Sequence, residues 1–69
     1  MPARLVVAGN AMETRLTDVS RGGAQLAGSF ALRAGTEVAV EIQGVRLVAR
    51  VARVAPGTMG VTFRQDQAS

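Results

Sequence analysis

The chain of 69 residues contains no cysteine, histidine, lysine, tryptophan or tyrosine. Without cysteine there are no disulfides and no thiolate metal ligands. Without histidine, the commonest general base, metal ligand and neutral-pH switch is gone. No metal site and no resident cofactor is expected. The aromatic complement is Phe30 and Phe63, too small for a base-stacking platform, so nucleic-acid binding of that kind is disfavoured. No apolar run approaches the ~20 residues that span a bilayer, and no secretory leader is evident. Membrane insertion is therefore not expected, and the cytoplasm is the default compartment. Charged residues make up 19% of the chain and hydrophobic ones 48%, which argues against intrinsic disorder.

What is present is one short domain, residues 1–69. Its cations are all arginine, at positions 4, 15, 21, 33, 46, 50, 53 and 64, and the net charge is +3. Two causes remain open. A genome-level compositional bias favours Ala, Arg, Val and Gly together. An anionic partner would also favour arginine, whose planar fork matches phosphate and guanine edges.

Turn signals divide the chain at short intervals: Gly9-Asn10, Gly22-Gly23, Gly35, Gln43-Gly44 and Pro56-Gly57. Between them lie runs that alternate with period two. Val38, Val40 and Ile42 alternate with Glu37, Ala39 and Glu41; Met59, Val61 and Phe63 alternate with Gly60, Thr62 and Arg64. Val45, Leu47, Ala49 and Val51 alternate with Arg46, Val48, Arg50 and Ala52. This pattern predicts six strands, over about 3–8, 11–19, 24–28, 37–43, 45–54 and 58–64. Gly9-Asn10 suits the centre of a two-residue hairpin turn, and Pro56-Gly57 that of a type II turn. A helix over 45–55 would place Arg46, Arg50 and Arg53 on one face, but the valine content favours a strand. Residues 29–36 could hold a short turn of helix, and 65–69 read as a frayed polar tail.

Six short antiparallel strands in so small a chain hide their edges best by closing on themselves. The expected fold is all-β, a six-stranded antiparallel β-barrel over about 3–64 with little or no helix. Its core would hold Phe30, Val38, Val40, Ile42, Leu47, Val51, Val61 and Phe63. An exposed Val48 and a short edge near 24–28 would allow self-association, so the chain is expected as a monomer or weak homo-oligomer.

Residues 16–26 read Leu-Thr-Asp-Val-Ser-Arg-Gly-Gly-Ala-Gln-Leu. Asp18 and Ser20 stand two apart at the end of a strand, on one face. Gly22-Gly23 leaves backbone amides uncovered beside them, with Arg21 between. An acceptor, a hydroxyl, amides and a cation at one spot suit an anionic, hydrogen-bonding ligand. The same residues also suit a self-closed turn, with Asp and Ser bonding to backbone and the glycines supplying positive φ. No catalytic residue is expected. With no histidine or cysteine, Ser20 has no plausible base except Asp18, which would lie alongside it on the same strand, so the chain does not read as an enzyme.

Asp18-Val19-Ser20-Arg21-Gly22-Gly23 matches (Asp/Asn)-x-Ser-x-x-Gly at every fixed position, and Gly60-Val61-Thr62-Phe63 matches a Gly-Val-x-Phe ending. In this order, with Gly35 ahead of a valine-alternating strand, the motifs resemble those of the PilZ domain, a bacterial receptor module for cyclic di-GMP. The resemblance spans roughly residues 3–64 and implies a six-stranded antiparallel barrel. It implies that Asp18 accepts guanine N–H bonds, that Ser20, Gly22 and Gly23 meet phosphate, and that Arg21 or Arg4 adds charge. The family's Arg-x-x-x-Arg motif, ahead of the first strand, has no match in these residues. Arg4 is followed four residues on by Ala8, and Arg46-Leu47-Val48-Ala49-Arg50 lies in the fifth strand instead. Loss of two charge-assisted contacts is worth roughly 3–6 kcal/mol, which predicts weak nucleotide binding. Family members without that motif serve as protein-interaction modules, so the alternative is an adaptor that binds a protein partner and no nucleotide.

Overall fold

Period-two alternation becomes strand wherever one face finds a core, and six segments of this chain do. A computed structural model describes residues 1–64. The strands are β1 (Pro2–Val7), β2 (Asn10–Val19), β3 (Gly23–Ala27), β4 (Glu37–Ile42), β5 (Val45–Ala55) and β6 (Thr58–Phe63). Every neighbouring pair is antiparallel, in the order β1-β2-β3-β6-β5-β4. Leu5↔Val40 and its flanking pairs join β4 back to β1 and close the barrel. The all-β antiparallel barrel expected from the sequence is thus the observed fold, with no helix among the described residues. The expected frayed tail at 65–69 lies outside them.

Inside the barrel, Leu5, Leu26, Val40, Val51 and Met59 are fully buried. Phe63 is 8% exposed and joins them from the end of β6. Phe30, Ile42 and Leu47, expected in the core, are only partly buried and pack against it from its margins. No polar or charged side chain is buried among the described residues.

The hairpin turns correct the sequence reading in one place. Val7 pairs with Asn10, so the central residues of the first turn are Ala8 and Gly9 rather than Gly9 and Asn10. Both have positive φ, 50° and 83°. Strand pairing overrides the local preference and forces an alanine into the left-handed region. Pro56-Gly57 does sit between the paired Ala55 and Thr58, with Gly57 at φ 79°. That φ matches the third position of a type II turn.

Residues 29–36 contain no helical turn. Gly28 and Gly35 have positive φ, and the backbone of Gly35 and Thr36 bonds to Val51, at 2.7 and 2.9 Å. The segment thus prolongs the ladder with β5. The expected open edge near 24–28 does not exist either, because closure pairs β3 with both β2 and β6. Val48, expected exposed, is half-buried.

Two strands break their alternation. In β2, Leu16 pairs with Leu26 but Asp18 pairs with Gln25, so Thr17 is an extra residue. In β5, Val51 pairs with Val61 but Arg53 pairs with Gly60, so Ala52 is extra. Each bulge exchanges inside for outside in the residues that follow it.

Candidate functional site

The first bulge decides where Asp18 points. Leu16 faces the core, and an unbroken strand would turn Asp18 inward with it. The extra residue at Thr17 places Asp18 opposite Gln25, on the outer face, where it is exposed. Beyond it β2 ends at Val19, and residues 20–22 carry the chain into β3.

That link is closed by its own bonds. The Ser20 amide donates to the Gly23 carbonyl at 2.8 Å, and the Ser20 hydroxyl donates to the same oxygen at 3.4 Å. The Phe63 amide donates to the Gly22 carbonyl at 2.8 Å, tying the loop to the end of β6. Neither Gly22 nor Gly23 has positive φ, which corrects the expected reason for the glycine pair. Gly23 is required by a close approach. A Cβ there would stand 2.2 Å from the Val61 carbonyl oxygen. At Gly22 a Cβ would meet nothing within 4 Å, so its backbone is open to a ligand.

Asp18, Ser20, Gly22 and Gly23 line one shallow groove of about 320 Å³. Its floor is the outer face of β3 and β6, with half-buried Gln25 and Gly60 and exposed Thr62 along it, and Arg53 and Ala52 form the far wall. Thr58 Oγ1 donates to Gln25 Oε1 at 3.2 Å, which holds the amide of Gln25 in place. Among the described residues Asp18 has no ion pair and no side-chain hydrogen bond, so its carboxylate keeps its acceptor capacity.

Arg21 is exposed on the bend between Ser20 and Gly22. Arg4 lies elsewhere, on the outer face of β1. It stands between Glu13 and Glu41, at 3.8 and 4.0 Å. Glu41 also takes Arg46, at 2.6 Å. Glu13, Arg4, Glu41 and Arg46 are register partners on β2, β1, β4 and β5. They form a ladder of alternating charge across one side of the barrel, a solvated arrangement of the kind that contributes little to stability. Arg46 and Arg50, which share a motif-like spacing, both lie on the outer face of β5 and are exposed.

Arg53 was absent from the residues singled out by sequence. The available signal was its violation of the alternation. After inward Ala49 and Val51, residue 53 would be inward again, and an unpaired arginine is not accommodated in a core of this size.

Among the described residues no cluster of three or more His, Cys, Asp or Glu could hold a metal ion. No helix among them is long and apolar enough to cross a membrane.

No curated protein and no solved structure matches the chain significantly. The model of the PilZ domain family, whose members are cyclic di-GMP-binding and regulatory modules rather than enzymes, matches residues 1–69. With the closed six-stranded barrel and the Asp-x-Ser-x-x-Gly loop at its rim, that match identifies the chain as a member of the PilZ domain family.

Proposed function

We propose that this chain is a cytoplasmic, cyclic di-GMP-responsive regulatory module that takes the nucleotide in the groove between the 18–23 loop and β5. The observation that carries this reading is the convergence of Asp18, Ser20, Gly22 and Gly23 on one open groove. Asp18 accepts N–H bonds from a guanine. The Ser20 hydroxyl and the amides of Gly22 and Gly23 meet a phosphate, and Arg21 adds charge from the bend. The nucleotide is a ligand, not a resident cofactor, and no chemistry is performed on it.

Titration calorimetry of cyclic di-GMP into the chain and into Asp18→Ala tests the reading. Saturable binding that weakens in the variant and falls with rising salt supports it. Binding unchanged by Asp18→Ala places the site elsewhere.

A second reading, an adaptor that acts by protein contact alone, draws on the opposite end of the barrel. There Val7 and Met12 of the first hairpin and Phe30 and Leu32 of the 28–36 segment line an apolar depression of about 340 Å³. Met12 is 39% exposed. In that case Met12→Asp abolishes partner capture, and no nucleotide titration saturates. The monomer or weak homo-oligomer proposed from the sequence is checked by sedimentation.

A further inference from the structure

We infer that Arg53 is the cationic arm of the groove, gripping a phosphate of a guanine nucleotide whose base is held by Asp18. This rests on the nucleotide-binding reading above and names a residue outside the motif that carries it.

Four observations converge on Arg53. First, the register runs Asp18↔Gln25, Gln25↔Gly60 and Gly60↔Arg53, so the carboxylate and the guanidinium stand at the two ends of one row across the outer face. Three strand spacings separate their Cα atoms, roughly 14 Å around the curve, a span suited to a ligand with separate base and phosphate ends. Second, the extra residue Ala52 is what brings Arg53 outward. A bulge that re-aims one side chain is a recurrent device beside binding sites.

Third, the arginine stem lies over β6. The position of a Cβ on Gly60 would be 3.6 Å from Arg53 Cγ and 3.9 Å from its Nε. The stem therefore lies beside the bare Cα of Gly60, while the residue remains exposed and open to a ligand. Fourth, Arg53 has no ion pair and no side-chain hydrogen bond among the described residues, whereas Arg4 and Arg46 are each committed to glutamates. A guanidinium at the wall of a groove without a carboxylate partner retains its full bidentate capacity for phosphate.

The experiment has two arms. In the first, cyclic di-GMP is titrated into the chain and into Arg53→Ala, Arg53→Lys and Arg46→Ala. Arg53→Ala should weaken binding by about 10- to 100-fold. Arg53→Lys should recover part of the loss, and Arg46→Ala should leave the affinity unchanged. In the second arm, inorganic pyrophosphate is titrated while the arginine Nε–H and backbone amide resonances are followed. The Arg53 Nε–H and the Gly60 amide should shift together, ahead of the Nε–H of Arg15 and Arg46.

If cyclic di-GMP binds and Arg53→Ala leaves its affinity intact, the role of Arg53 is overturned while nucleotide binding stands. If cyclic di-GMP does not bind but pyrophosphate shifts Arg53 selectively, the anion-gripping arm stands and the cyclic dinucleotide reading falls. Pyrophosphate shifts spread evenly over the arginines, with no nucleotide binding, overturn both.

Discussion

Asp18 and Arg53 stand at the two ends of one register row on the outer barrel surface, with Gln25 and Gly60 between them, and each reaches that row through a bulge. Strict alternation would turn both charged side chains toward the interior. The two irregularities at Thr17 and Ala52 flank the groove and give it opposite charges at its two ends.

Asp18 is exposed and makes no side-chain bond among the described residues, so its removal should leave the fold intact. Asp18→Ala is expected to change stability by no more than about 0.5 kcal/mol. It should weaken cyclic di-GMP binding by about 10- to 100-fold, the value of one or more charged hydrogen bonds. Chemical denaturation and calorimetry on the same sample separate the two effects.

The two motif glycines should behave differently. Gly23→Ala drives a Cβ into the Val61 carbonyl oxygen, at 2.2 Å before relaxation. Separating β3 from β6 to relieve this should cost about 1–3 kcal/mol. Gly22→Ala meets no neighbour within 4 Å and should leave stability nearly unchanged while obstructing the ligand. Equal melting temperatures for the two variants would contradict this account of the loop.

Phe63 closes the core from the end of β6 and is 8% exposed. Phe63→Ala should cost about 3–5 kcal/mol. Stability in a domain of this size is often of similar magnitude, so urea denaturation should show a large unfolded population at low denaturant. A midpoint equal to that of the parent would show that the ring contributes no packing.

Arg4 is held by two exposed or half-exposed glutamates at 3.8 and 4.0 Å. Arg4→Ala should cost less than about 1 kcal/mol, and that cost should shrink as salt rises. Its effect on cyclic di-GMP affinity should be smaller than that of Arg53→Ala. A larger effect would move the nucleotide to the β1 side of the barrel.

Ala8 occupies a left-handed turn position at φ 50°, which costs an L-residue about 1–2 kcal/mol. Ala8→Gly relieves that strain but adds freedom to the unfolded chain. The net expectation is a gain of up to about 1 kcal/mol, read as a higher melting temperature.

The alternation of Val38, Val40 and Ile42, and of Met59, Val61 and Phe63, already specified strand and inward face. A period of two depends only on the local chain, and the barrel gave both sets their shared interior. The Asp18-to-Gly23 motif and the Gly60-to-Phe63 ending likewise marked the family. The turn residues marked where the strands end, to within a residue or two.

Other features depend on a partner strand and so were decided only by tertiary structure. A bulge is a mismatch between two strands, and nothing in Thr17 or Ala52 alone announces it. The need for glycine at 23 comes from the Val61 carbonyl, 38 positions along the chain, rather than from its own φ. Ala8 enters the turn because the pairing of β1 with β2 outweighs its local preference. Arg53 meets the groove because β5 slips by one residue against β6, and register between distant strands is set by the packing of their side chains, not by either strand alone.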